Sequence, residues 1–87
     1  MITSVDIQDT LAVNVRIEES KFYIILEDGR ELGVPYNWFW RLEKANPEQR
    51  NNWRLIGGGH GIHWQDIDED ISVLGILKGI RKSSQPK

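Results

Sequence analysis

The chain of 87 residues has no cysteine, three prolines and one methionine. The lack of cysteine excludes a disulfide scaffold, a thiol nucleophile and a thiolate metal site, and it fits a reducing compartment. The longest apolar runs have four or five residues, as in residues 22–26, whereas a membrane-spanning helix needs about 20. The opening segment MITSVDIQDT also lacks the basic and then apolar layout of a signal peptide. We therefore expect a cytoplasmic protein without a membrane span.

The composition is that of a small globular domain. Hydrophobic residues make up 39% and charged residues 28%, and the chain has four tryptophans. A chain of this length supports one hydrophobic core, and we find neither a repeat nor a linker. The sequence predicts a single domain over residues 1–80. Residues 81–87 (RKSSQPK) are polar and basic, which predicts a disordered tail.

The formal net charge of −2 is unevenly distributed. Residues 1–77 carry seven basic and thirteen acidic side chains, a net charge of −6, and the last ten residues carry four basic side chains and no acid. An acidic body repels phosphate backbones, so nucleic-acid binding by the folded part is disfavoured. A protein partner with a basic surface fits this charge better.

The first third of the chain has the patterns of β-strands. Residues 2–8 alternate weakly, and residues 11–17 alternate clearly, with the odd-numbered side chains predicted to face inward. Residues 21–27 have the composition of a central strand. Asp28 and Gly29 predict a type I′ hairpin turn into a strand at residues 30–34. Together these segments predict an antiparallel meander of three to four strands.

The middle of the chain changes to helical spacing. Asn37 is predicted to cap a helix whose apolar residues, including Trp38 and Leu42, cover the sheet. Asn46 is followed by proline and, three positions on, by Gln49, which predicts a second short helix with a capping box.

The last third predicts short β-segments and a final helix. Residues 53–56 and 62–64 read as strands around a glycine run, and an acidic loop follows them. The apolar spacing from Ile71 to Ile80 predicts a helix that Asp68 or Ser72 caps and Gly79 ends. The predicted fold class is α+β: a β-meander with a helix packed on it, a short C-terminal β element and a final helix.

The densest charge feature, here named the acidic cluster, comprises Asp66, Asp68, Glu69 and Asp70. Its spacing resembles the start of a calcium loop, but Ile71 replaces the required glycine and Leu77 replaces the bidentate glutamate. The carboxylates are expected to cap the following helix. A cluster this dense also suggests a second role, either contact with a basic partner or pairing with Arg50 or Arg54.

The two histidines and the glycine run offer little chemistry. His60 and His63 are three residues apart, glycines flank His60, and an extended segment would direct the two side chains to opposite sides. No serine or threonine forms a catalytic-triad pattern with a histidine and an acid. The glycine run matches neither the G-x-G-x-x-G motif nor the P-loop motif, which requires Lys-Ser or Lys-Thr after the glycines. We expect no enzymatic activity, metal or cofactor, and at the glycines we expect a bulge or a tight crossing under a tryptophan. The alternative is a small-ligand or nucleotide pocket, formed by Gly57, Gly58, Gly59, His60, His63 and Trp64.

Three tryptophans, Trp38, Trp53 and Trp64, are expected to form the framework of the core. Trp40 differs, because it lies two positions after Trp38 in the predicted helix. This spacing places the two side chains about 200° apart around the helix axis. It is expected to face away from the sheet. A role in packing and a role in partner contact both remain open for Trp40.

Several of these motifs occur together in a known pattern. They are D-G-R at 28–30, Pro35, W-F-x-R-L at 38–42, Ala45, P-E-Q-R at 47–50, Asn52-Trp53 and G-I-H-W-x-D-I-D-E-D-I-S-V at 61–73. With them, the chain resembles the bacterial domain-of-unknown-function family 2442. Trp40 stands where that family usually has proline, Asn46 where it has threonine, and Gln65 where proline often occurs.

The resemblance implies a small α+β domain without established enzymatic activity. Stand-alone members are commonly encoded beside a second small protein, as in toxin–antitoxin pairs, and this chain resembles the antitoxin-like member. We therefore expect a non-enzymatic interaction domain, with Trp40 and the acidic cluster as contacts and a small, basic partner protein. A homodimer is also compatible with the sequence. A ligand sensor using residues 57–64 and a DNA-binding autoregulator using the tail are the alternatives.

Overall fold

A computed structural model describes residues 10–82. The first antiparallel sheet contains β1 (Ala12–Ile17), β2 (Lys21–Leu26) and β3 (Glu31–Pro35), in that order. The second contains β4 (Trp53–Ile56), β5 (Gly61–Trp64) and β6 (Glu69–Ser72). The helices are α1 (Trp40–Lys44), α2 (Pro47–Asn51) and α3 (Val73–Leu77).

The predicted α+β class and the meander are confirmed, and the C-terminal β element is a complete sheet. Each α-helix in the described part has five residues, so none is long enough to cross a membrane. The weak strand predicted at residues 2–8 and residues 83–87 of the predicted tail lie outside the described residues. The domain boundary after residue 80 stays a prediction.

Strand β1 contains a bulge, which changes whether its even-numbered or its odd-numbered side chains face the core. Its pairing with β2 shifts between Ala12 and Asn14, so one extra residue is inserted there. Ala12 and Val15 are buried, whereas Val13 is 54% exposed. The prediction that every odd-numbered side chain faces inward is therefore wrong at Val13.

The hairpin predicted at Asp28 and Gly29 joins β2 to β3. The amide of Gly29 donates to the carbonyl of Leu26 at 3.0 Å, and the amide of Leu26 donates to the carbonyl of Arg30 at 2.8 Å. Only Gly29 of the predicted pair has a positive φ, +94°. The turn is therefore not type I′, because that type needs a positive φ at both central residues.

Helix α1 begins at Trp40, later than predicted. Residues Tyr36–Trp38 form a 3-10 turn, and Phe39 is extended with φ of −134°. Phe39 makes a β-bridge with Lys82, which holds its backbone in the extended conformation. Asn37 is therefore not the cap of α1. Leu42 of α1 is fully buried and belongs to the core.

The capping box predicted for α2 is confirmed. The side chain of Asn46 accepts from the amide of Gln49 at 2.8 Å, and the side chain of Gln49 accepts from the amide of Asn46 at 3.0 Å. Pro47 occupies the first turn, where its missing N–H group costs nothing. This helix follows from local chemistry alone.

Residues predicted as an acidic loop and the start of the last helix form β6 instead. Ile71 pairs with Ile62 and Glu69 pairs with Trp64, so Ile71 is a strand residue. Helix α3 starts only at Val73, with Ser72 as its cap, and Gly79 (φ +78°) ends it. The cap at Ser72 and the end at Gly79 are confirmed, and the helical assignment of Ile71 is wrong.

The two sheets share one hydrophobic core around Trp64. The ring of Phe22 meets Trp64 edge-on, with centroids 5.5 Å apart, and stacks on Tyr36 at 5.7 Å. The indole N–H of Trp64 donates to the carbonyl of Arg50 at 2.9 Å. The core thus ties the second sheet to the first sheet and to the end of α2.

Candidate functional site

The side chain of Trp40 lies at the molecular surface, partly exposed. A shallow cavity of about 230 Å³ surrounds it, and we call its lining the Trp40 surface: Trp40, Arg41, Lys44, Ala45, Gln49 and Ile67. The guanidinium of Arg41 lies 4.7 Å from the centroid of the indole, and the ammonium of Lys44 lies 5.6 Å from it. The surface therefore combines an aromatic ring, apolar side chains and cations.

The structure divides the acidic cluster into one buried and three exposed side chains. Asp66, Asp68 and Asp70 are exposed, whereas the side chain of Glu69 is fully buried. Glu69 and Asp70 are successive residues of β6, so their side chains point to opposite faces. The carboxylate of Asp66 accepts from the side-chain amide of Asn52 at 3.0 Å. The cluster is therefore not one continuous contact site, because the carboxylate of Glu69 is covered by Arg41 and Lys82 in this structure.

Glu69 carries a buried carboxylate between two cations. Its Oε1 lies 3.6 Å from a guanidinium nitrogen of Arg41, and its Oε2 lies 3.5 Å from the ammonium of Lys82. Neither oxygen has a hydrogen-bond partner among the described residues. The expected internal partners, Arg50 and Arg54, are not the ones that pair with it.

Arg50 instead connects α2 to α1 and to Tyr36 of the 3-10 turn. Its guanidinium donates to the carbonyls of Leu42 at 2.9 Å and Glu43 at 3.1 Å. The same group lies 3.8 Å above the centroid of the Tyr36 ring. Arg50 thus has a packing role that its position in the sequence does not indicate.

The first two residues of the predicted tail contact the domain. The guanidinium of Arg81 lies 4.4 Å above the ring of Trp38. The amide of Trp40 donates to the carbonyl of Lys82, and the amide of Lys82 donates to the carbonyl of Trp38. No local pattern in the sequence predicts this contact, because the contacting residues are distant along the chain.

The glycine run forms a close crossing beneath β1. Gly57, Gly58 and Gly59 have φ of +60°, +68° and +107°. A Cβ at Gly59 would lie 2.5 Å from the carbonyl oxygen of Ala12, so no side chain fits there. The sequence predicts a bulge or a tight crossing under a tryptophan here, and the structure has a tight crossing against the backbone of Ala12 instead. Trp64, assigned to the alternative ligand pocket, is fully buried in the core.

A second cleft lies beside the glycine run. It has a volume of about 380 Å³, and its lining consists of Ile56, Gly57, His60, Gly61, Asp70, Ile71 and Ser72. His63 does not line this cleft; its Nδ1 lies 2.5 Å from Oδ1 of Asp70. Among residues 10–82, no group of three or more histidine, aspartate or glutamate side chains is arranged to hold a metal.

Clear pKa shifts occur around the first sheet. The side chain of Arg16 hydrogen-bonds to Glu31 and lowers the pKa of that carboxyl below its ordinary value. The backbone amide of Arg30 lowers the pKa of Asp28 in the same way. Burial raises the pKa of Tyr36, whose hydroxyl donates to the carbonyl of Glu18 at 2.6 Å.

Two solved structures have the same fold. A crystal structure of a protein of unknown function from Rhodospirillum rubrum is 28% identical with a TM-score of 0.78, and the alignment covers 85% of this chain and 92% of that one. A solution structure of an uncharacterised protein from Chromobacterium violaceum is 30% identical with a TM-score of 0.72, covering 85% and 70%. A search of curated proteins gave no match.

A family model also covers most of the chain. The model described as "Protein of unknown function (DUF2442)" matches residues 12–82. The matched range includes both sheets, all three helices and the Arg81–Lys82 contact. The chain belongs to the DUF2442 family of proteins of unknown function.

Proposed function

We propose that this protein is a non-enzymatic, cytoplasmic interaction domain that binds a small partner protein through the Trp40 surface. The observation that carries the proposal is the partly exposed indole of Trp40, bordered by the apolar side chains of Ala45 and Ile67 and by Arg41. Tryptophan and arginine are the residue types most enriched where protein interfaces gain their binding energy.

The charge of the domain supports a basic partner. Residues 1–77 have a net charge of −6, and Asp66 and Asp68 are exposed on either side of Ile67, which lines the Trp40 surface. Complementary charge raises association rates and selects against like-charged partners. An antitoxin-like role in a two-gene pair fits a small acidic domain of this kind.

Gel filtration with the product of the adjacent gene tests the proposal. The two purified proteins should co-elute at micromolar concentration, and Trp40→Ala should weaken the complex at least about thirtyfold, the loss expected for an interface hot spot. Glu48→Gln is the matched control, because Glu48 is an exposed acid of α2 that does not line the Trp40 surface. Independent elution of the wild-type proteins would contradict the proposal.

The cleft beside Gly57 and His60 supports a second candidate, a small-ligand sensor. Its volume of about 380 Å³ lies within the range of small-molecule sites. A thermal-shift panel of nucleotides and metabolites tests it, because a ligand at 100 times its Kd adds about 2.7 kcal/mol of stability. A ligand-induced shift that His60→Ala abolishes would favour the sensor over the interaction domain.

A further inference from the structure

The backbone from Trp38 to Trp40 already binds an extended segment. The amide of Lys82 donates to the carbonyl of Trp38 at 2.7 Å, and the amide of Trp40 donates to the carbonyl of Lys82 at 2.9 Å. The two segments run parallel, with Lys82 bridged to Phe39. Such a pair of backbone hydrogen bonds is how proteins add a peptide as an extra strand.

The side chains around this bridge contact two basic residues of the chain, Arg81 and Lys82. The guanidinium of Arg81 stacks on the indole of Trp38 at 4.4 Å, and the ammonium of Lys82 lies 3.5 Å from the buried carboxylate of Glu69. Neither side-chain oxygen of Glu69 has a hydrogen-bond partner among the described residues, so Lys82 and Arg41 supply the positive charge beside it. The site therefore presents an aromatic face for one cation and a carboxylate for the next.

The chain's own segment is held by few buried contacts. The side chain of Lys82 is 54% exposed, Ile80 is 55% exposed, and Arg81 is also exposed. The segment borders a groove of about 280 Å³ that Phe39, Ile80 and Lys82 help to line. Little apolar area would be lost if the segment left, so opening here costs less than opening the core.

We propose that the Trp38–Trp40 edge and Glu69 form a docking site for an extended basic segment of a partner protein, and that Arg81 and Lys82 occupy this site in the free protein. The inference rests on the proposed function, because it names the part of the basic partner that binds beside the Trp40 surface. A tethered segment competes at an effective concentration of about millimolar. The partner segment therefore binds well only when it displaces Arg81 and Lys82.

A labelled peptide that copies residues 79–84, Gly-Ile-Arg-Lys-Ser-Ser, is the probe. Fluorescence anisotropy should show that the full chain with Arg81→Ala and Lys82→Ala binds this peptide at least about tenfold tighter than the wild type. Adding Glu69→Gln should reverse the gain. A peptide with glutamate in place of its arginine and lysine is the control and should not bind. Equal binding of both peptides, or no binding to the double variant, would overturn the proposal.

Amide exchange in the wild-type chain gives an independent measurement. If the double variant does not fold, this measurement tests whether Arg81 and Lys82 can leave the Trp38–Trp40 edge. The Trp40 amide, bonded to Lys82, should exchange at least about tenfold faster than the Leu26 amide, bonded to Arg30 across the hairpin between β2 and β3. Equal protection of the two amides would contradict a displaceable segment. A concentration-dependent wild-type dimer that Lys82→Ala abolishes would assign the site to a second copy and overturn the partner assignment.

The two proposals fail separately. If the adjacent gene product co-elutes with the wild-type chain but the double variant does not bind the peptide, only the docking inference is lost. If neither binds, the interaction function is lost as well.

Discussion

The buried carboxylate of Glu69 lies 3.6 Å from the guanidinium of Arg41. This contact joins β6 to the first turn of α1, two elements that the sequence separates by the whole of α2, β4 and β5. A charge with no hydrogen bond in a dry environment is costly unless cations remain beside it. The position of α1 on the domain therefore depends partly on this pair.

Arg41→Ala should lower the free energy of unfolding by about 1–3 kcal/mol, because it leaves the Glu69 carboxylate buried with less compensation. Adding Glu69→Gln to Arg41→Ala should recover part of that loss, since the uncompensated charge is then gone. Urea unfolding of the two single variants and the double variant measures the coupling. Arg54→Ala, at an exposed position of β4, is the control and should change stability by less than about 0.5 kcal/mol. Additive losses at Arg41 and Glu69 would contradict the coupling.

Gly59→Ala should destabilise the domain strongly, by about 2–4 kcal/mol, through a clash and an unfavourable φ together. The new Cβ would lie 2.5 Å from the carbonyl oxygen of Ala12. Gly58→Ala provides the matched control, because Gly58 also has a positive φ but its Cβ would meet nothing within 4 Å. It should cost only the conformational term of about 1–2 kcal/mol. Thermal unfolding that ranks Gly58→Ala as the more harmful change would refute the close-crossing explanation.

The Arg16–Glu31 pair should make stability depend on pH in the acid range. Arg16 lowers the pKa of Glu31 below its ordinary 4.5, so the folded state binds fewer protons than the unfolded state there. The resulting stability is present above pH 4.5 and is lost as the pH falls through the folded pKa. The advantage of wild type over Glu31→Gln should therefore be present at neutral pH and disappear at acid pH.

Urea midpoints at pH 7 and at about pH 3 measure this difference. Glu19→Gln, at an exposed position between β1 and β2, is the control for the chemical change. Added salt should shrink the Glu31 effect, because both side chains of the pair are exposed. An advantage of wild type over Glu31→Gln that grows toward acid pH would contradict the assignment.

Trp64→Phe should cost about 2–4 kcal/mol, because it leaves a cavity in the core and removes the donor to the Arg50 carbonyl. Trp53→Phe makes the same chemical change at a partly buried position and should cost clearly less. Chemical denaturation of both variants provides the comparison. Equal losses would show that core burial does not distinguish the two tryptophans.

Elements set by local chemistry could be predicted from the sequence. The capping box of α2 needs only Asn46, Pro47 and Gln49, and the structure has it as expected. The hairpin at Gly29 and the end of α3 at Gly79 also follow from residues within one turn. In each case the interacting groups are neighbours along the chain, so the local sequence is enough to predict them.

Elements set by distant pairing could not be predicted. The bulge at Val13 arises in the pairing of β1 with β2, and Phe39 stays extended because it pairs with Lys82. Ile71 has helical spacing with the residues that follow it, yet it pairs with Ile62 of β5 and is part of strand β6. Tertiary pairing outweighs the small differences in local propensity at such positions.

The sequence by itself determined the α+β class, the acidic character and the presence of an unusual tryptophan at position 40. Only the tertiary structure decided which member of the acidic cluster is buried, and that Lys82 is paired with the domain. The alternating faces of a strand bury Glu69 and expose Asp70. Glu69 lies beside Arg41 of α1 and beside Lys82, and these parts of the chain meet β6 only in the folded protein. Composition alone therefore could not show that Glu69 is buried while its acidic neighbours are exposed.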